Sequence, residues 1–195
     1  MVQTADCGGR LGRSLRLAAW GCAALLFLLP LAAEQLSEEM NWSMGDFIVW
    51  AAMLVAACGA FELAMRLSPN WAYRAAAAVA IGAGFLLVWI NLAVGIIGSE
   101  DNSANLLYAG VLAMGVVGAV VADFRPHGMA RALIAMAVTQ MLIAVTALIA
   151  GWGSEGENWP QVIIVLNGFF TTLWLLSAGL FRRAAREVTP AGALP

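Results

Sequence analysis

Polar positions are rare along this chain and they cluster, leaving six long apolar runs at residues 15–33, 47–67, 75–97, 106–124, 129–151 and 162–181. Crossing ~30 Å of hydrocarbon takes roughly 20 apolar residues as helix, and each run is about that length. The turns between them are too short to fold as separate domains. The pattern therefore predicts an all-α integral membrane bundle of six transmembrane helices in three hairpins. Residues 1–39 read as an N-terminal signal-anchor segment and residues 40–195 as a polytopic membrane domain. Three arginines followed by "AAWGCAALLFLLPLAA" also fit a signal peptide. The cleavage signature is poor, because cutting after Ala33 puts Leu31 where a small residue is preferred. A retained anchor is the favoured expectation, and loss of that segment would leave a five-helix core.

Composition agrees with the pattern. Of 195 residues, 62% are hydrophobic and 11% charged, too little charge for the surface of a soluble domain. Charge also orients the helices. All ten basic residues are arginines (Arg10, Arg13, Arg16, Arg66, Arg74, Arg125, Arg131, Arg182, Arg183 and Arg186), and with six spans every one falls on the side of the amino terminus. Eight of the twelve acids fall on the other side, Glu100 and Asp101 among them, in an acidic outer turn. The arginine bias places both termini in the cytoplasm. The formal net charge of -2 conceals this asymmetry. Arginines scattered one or two per turn give no footprint for nucleic acid.

The outer turns resemble one another: "SEEMNW", "SEDNSAN" and "SEGENW". Such repetition occurs in transporters. The plainer explanation is capping, since a helix re-entering lipid needs side-chain acceptors for its free N–H groups. Ser43 with Asp46, Ser103 or Asn102, and Asn158 suit that role. Trp42, Trp152 and Trp159 on one side, and Trp71 and Tyr73 on the other, fit the aromatic belts of a bilayer.

Counts of reactive side chains narrow the chemistry. One histidine, His127, and three cysteines without a CxxC pair offer no structural zinc site, and no pair of histidines is present to hold haem or a catalytic metal. No GxSxG elbow or phosphate-cradling loop occurs. No enzymatic activity and no cofactor are expected.

Certain segments are distinctive. "NWSMGDFIVW", "VWINLAVGIIGSEDNSANLLY", "RPHGMARAL" and "LNGFF" followed by "FRRAAR" resemble a family of uncharacterised bacterial inner-membrane proteins, over about residues 40–187. That resemblance implies a bacterial inner-membrane location and supplies no activity.

What remains informative is polarity inside the apolar runs, where it is costly and usually faces another helix or a cavity. Glu62, Asn91, Gln140 and Asn167 are the candidates. Glu62 with Arg66 forms a favourable i, i+4 ion pair. Alternatively, Glu62 serves proton or cation coupling. Small residues line three faces: Ala77, Ala80, Gly84, Val88, Asn91, Gly95 and Gly98; Gly115, Gly118, Ala119 and Ala122; and Ala137, Gln140, Ala144, Ala147 and Gly151. Small faces let backbones approach and amides bond across the seam. With the third helix running to Ile97, Asn91 and Asn167 lie at similar depth and could meet beneath Glu100 and Asp101, forming the floor of an outward pocket. Two classes of function fit. One is a small transporter or channel-like protein for a proton, cation or small solute. The other is a non-transporting membrane subunit or scaffold packing through Gly/Ala faces. The expected partners are the lipid bilayer and either further copies of the chain, as a homo-oligomer, or another membrane protein.

Overall fold

The computed structural model describes residues 3–36, 42–156 and 158–188. Among them are six helices, α1 (Gln3–Leu36), α2 (Met44–Leu67), α3 (Trp71–Ala93), α4 (Leu107–Val121), α5 (Pro126–Ala150) and α6 (Gln161–Val188), with a 3-10 turn at Ser103–Leu106 and no strand. Each helix, with the 3-10 turn added to α4, carries a stretch long and apolar enough to cross a bilayer. The fold is thus the all-α membrane bundle that the apolar runs predict. Large apolar side chains stand openly on its surface, Ile149 at 84% and Val121 at 80% exposure. Such a surface suits lipid rather than water.

The chain divides into two compact units, Met1–Leu67 and Ser68–Pro195. The first is an antiparallel hairpin of α1 and α2. Trp50 Nε1 donates to the Leu26 carbonyl at 3.1 Å and the Cys58 thiol to the Ala19 carbonyl at 3.7 Å. Phe27 and Phe47 meet edge to face, 6.5 Å between centroids. Helix α2 starts with a reciprocal cap. Ser43 Oγ accepts from the Asp46 N–H at 3.3 Å, and Asp46 Oδ2 accepts from the Ser43 N–H at 2.8 Å. The neighbouring "SEEMN" segment at residues 37–41 lies outside the described residues.

In the second unit, α5 packs against α4 and α6, and α6 packs in turn against α3. Glycines set the α4–α5 distance: a Cβ on Gly115 would come within 2.6 Å of Met136 Sδ, and one on Gly118 within 2.6 Å of Ala132 Cβ. Ala137, Gln140, Ala144 and Ala147 are all buried, so the small face of α5 is a packing face.

The third helix departs from the expectation in two respects. It ends at Ala93 and not near Ile97, because Gly95 adopts φ +72° and Gly98 φ +74°, left-handed values that stop a helix. Its buried face runs through Ala72, Ala76, Ala83 and Leu87. Of the expected stripe within the helix, Ala77 is buried, whereas Gly84, Val88 and Asn91 lie on the flank of that contact. An alanine-rich run offers two adjacent small stripes. The choice between them is made by α6, where Ser177 Oγ donates to the Ala76 carbonyl at 2.8 Å.

Residues 94–99 fold back as a tight plug, with Ile96 and Ile97 at 1% and 0% exposure. One side chain holds this plug. Asn105 Oδ1 accepts from the Ile96 and Ile97 N–H groups at 3.0 and 2.9 Å, and its Nδ2 donates to the Ser99 and Ile97 carbonyls at 2.7 and 3.4 Å. Gly98 lies directly against Gly153 of the α5–α6 turn, where a Cβ on Gly153 would stand 2.5 Å from the Gly98 nitrogen. Asn102 caps the 3-10 turn, its Oδ1 accepting from the Ala104 N–H at 3.0 Å.

Candidate functional site

Three polar clusters occupy the apolar helices. The central one joins three helices of the second unit. Asn167 on α6 accepts, through Oδ1, from Tyr108 Oη of α4 at 3.1 Å and from Gln140 Nε2 of α5 at 3.2 Å. Its Nδ2 donates to the Ile163 carbonyl one turn back, at 2.8 Å. Gln140 Oε1 accepts from Trp174 Nε1 at 3.2 Å. All four side chains are at or below 1% exposure. The order Tyr108–Asn167–Gln140–Trp174 is thus a continuous chain in which each member has a partner, and it is sealed from solvent. In a low-dielectric interior such a network fixes relative helix positions.

Of the four candidates from the sequence, Gln140 and Asn167 are brought together here. Asn91 is not with them. The expected Asn91–Asn167 meeting does not form, because Asn91 lies on the flank of the α3 contact face; Tyr108 takes that position against Asn167. Asn91 Nδ2 instead donates to the Leu87 carbonyl of its own helix at 2.7 Å, and its buried Oδ1 has no partner.

Glu62 belongs to the second cluster, within the α1–α2 hairpin. Its carboxylate accepts from the Arg66 guanidinium, with Nε at 3.2 Å, and from Trp20 Nε1 at 3.3 Å. Arg16 Nη1 approaches to 3.6 Å. The expected intrahelical pair is therefore present and extended by two α1 side chains. Arg74 reaches the Ser68 carbonyl at 2.8 Å.

The third cluster is a slot of about 430 Å³ beside the end of α3 and the start of α4. Leu87, Val88, Leu92, Leu106, Tyr108, Ala109 and Leu112 supply apolar lining, and Asn91 lies among them. Glu100, Asp101, Asn102, Ser103 and Asn105 add polar lining. Asn91 and the acidic turn thus share one slot, though Asn167 has no part in it. A second, mostly apolar groove of about 570 Å³ runs between residues 94–98, the α5–α6 turn and the first turns of α6.

Sequence reasoning misses Tyr108, Trp174, Asn105 and Trp20. Aromatic N–H and O–H groups in apolar runs count as hydrophobic in a periodicity reading, yet when buried they need an acceptor. A tyrosine and a tryptophan in helices that pack on Asn and Gln are the available signal. Among the described residues, no three His, Cys, Asp or Glu side chains converge as metal ligands would. Comparison of the chain with protein-family models, curated proteins and solved structures finds no match.

Proposed function

We propose that this chain is a non-conducting, multi-pass subunit of a bacterial inner membrane that acts by packing against a membrane-protein partner or copies of itself, without enzymatic activity. One observation carries the proposal: Gln140 and Asn167, the most deeply buried amides of the second unit, bond to each other and to two aromatic side chains, out of reach of solvent. A conduction path needs polar groups facing water or a substrate, and a zipped network commits its donors and acceptors to helix packing. Glu62, the acid a coupling mechanism would use, is likewise engaged by Arg66 and Trp20.

The test is ion and proton flux in proteoliposomes. Purified protein should leave the decay of an imposed pH gradient or potassium gradient indistinguishable from that of protein-free vesicles. A flux above that background, lost in Gln140→Leu or Glu62→Gln, would overturn the proposal in favour of transport.

The proposed orientation places both termini in the cytoplasm. In a cysteine-free background, single cysteines at Ser99 and Ser154 should react with a membrane-impermeant maleimide added to intact spheroplasts. One at Arg183 should react only after lysis. The reverse pattern would invert the topology.

A further inference from the structure

We propose that the arginine-bearing end of the α5–α6 pair binds an anionic phospholipid, its phosphate between Arg131 and Arg182 and its acyl chains along the exposed apolar faces of the two helices. The inference holds whether or not the bundle conducts. Arg131, Arg182 and Arg186 are exposed, and their guanidinium groups have no partner among the described residues. The acids that could neutralise them are already committed. Of the acids in the second unit only Asp123 and Glu187 lie at this end, and they pair with Arg125 at 3.8 Å and Arg183 at 3.1 Å.

Helix register brings two of the three free arginines together. Gln140 of α5 bonds both Asn167 and Trp174 of α6, which fixes the level at which the antiparallel helices meet. Nine residues back along α5 stands Arg131. The same distance forward along α6 ends within about one helical turn, ~5 Å, of Arg182. Arg182 also continues the α6 row through Asn167 and the buried Ala178 that faces α5, and it stands where that row emerges. Towards the bilayer centre, Arg131 shares a face of α5 with Val138 and Leu142, 54% and 60% exposed. Arg182 and Arg186 share a face of α6 with Leu175, 49% exposed. On α6 between Arg182 and Leu175, a Cβ on Gly179 would meet nothing within 4 Å, so the surface there is open.

Unpaired positive charge above bare hydrocarbon selects the occupant. Basic clusters between helices at a membrane surface attract acidic lipid headgroups, and guanidinium groups hold phosphate through paired, charge-assisted hydrogen bonds. A zwitterionic lipid would bring its ammonium among three arginines. A second copy in the same orientation would set arginine against arginine. A soluble anion would satisfy the arginines and leave the valine and leucine faces uncovered.

The experiment titrates the full chain in an uncharged detergent with dioleoylphosphatidylglycerol or dioleoylphosphatidylcholine and counts bound lipid by native mass spectrometry. Phosphatidylglycerol should bind saturably and roughly tenfold or more tightly than phosphatidylcholine. Glycerophosphoglycerol, the same headgroup without acyl chains, should not displace it. Arg131→Gln combined with Arg182→Gln and Arg186→Gln should abolish the preference. Arg125→Gln combined with Arg183→Gln, which removes arginines already paired, should keep it. Helical circular dichroism confirms that each variant is folded. Equal binding of the two lipids, or an undiminished preference in the triple variant, would overturn the proposal. Loss of the preference in the double variant would reduce the effect to a diffuse basic field, and displacement by glycerophosphoglycerol would reduce it to an anion contact; either result overturns it. In a cysteine-free background, Val138→Cys chains that cross-link to one another with and without phosphatidylglycerol would assign the face to a second copy and overturn it equally.

Discussion

Asn105→Ala should lower the thermal unfolding midpoint of the purified protein by several degrees and open the 94–99 plug to solvent. The side chain makes four hydrogen bonds to the backbone of that plug, through both its oxygen and its nitrogen. Residue 105 is itself 8% exposed and the two isoleucines it holds are more deeply buried. Alanine removes every one of these partners at once and leaves the Ile96 and Ile97 N–H groups orphaned away from water. An unsatisfied buried group is worth about 1–3 kcal/mol, so the loss should total about 2–4 kcal/mol after partial relaxation. Fluorescence-monitored melting in detergent gives the midpoint. A cysteine introduced at Ile97 should resist maleimide in the parent chain and react readily beside Asn105→Ala. Unchanged melting and unchanged protection would show that the glycine contact between Gly98 and Gly153 holds the plug without Asn105.

Asparagine 105 also shows where sequence reasoning stops. Six helices, their approximate ends, and the small faces of α4 and α5 follow from apolar run length and residue size, which are local properties. The Ser43–Asp46 cap is local too, with partners three residues apart. The plug is not local in that sense. "NLAVGIIG" reads as a continuing apolar helix, and only the left-handed φ of Gly95 and Gly98 breaks it. Glycine is compatible with both outcomes, since it can extend a packing stripe or end it. The decision comes from Asn105, whose short polar side chain replaces the helical hydrogen bonds that residues 96 and 97 give up.

The same limit applies to the central polar chain. Depth counting sets Asn91 and Asn167 at one level, and depth alone cannot say which way a side chain points. Polar position alone also leaves out the aromatic partners. Tyr108 and Trp174 are the residues that let Asn167 and Gln140 sit inside the bundle with their hydrogen bonds made, and in a hydropathy pattern they merge with their apolar runs.

Asn167→Leu and Asn91→Leu should therefore diverge, although both remove one amide from an apolar helix. Leucine at 167 deletes the acceptor shared by Tyr108 Oη and Gln140 Nε2 and orphans both donors in a region without water. Interhelical bonds in membranes average only about 0.6 kcal/mol, because the separated helices also find partners. Two donors stranded between packed helices exceed that average, and the expected loss is about 2–3 kcal/mol. Leucine at 91 removes a buried oxygen that has no partner and an amide bonded only within its own helix. Its expected effect is between zero and a gain of about 1 kcal/mol, the penalty of an unsatisfied acceptor being relieved. Melting of both variants in the same detergent, alongside Tyr108→Phe, decides the matter. Tyr108→Phe should fall between them, since it removes one donor and leaves Gln140 and Asn167 still bonded. Equal midpoints for the two leucine variants would mean that the polar chain does not hold the helices together. The support it gives to a non-conducting bundle would then be lost.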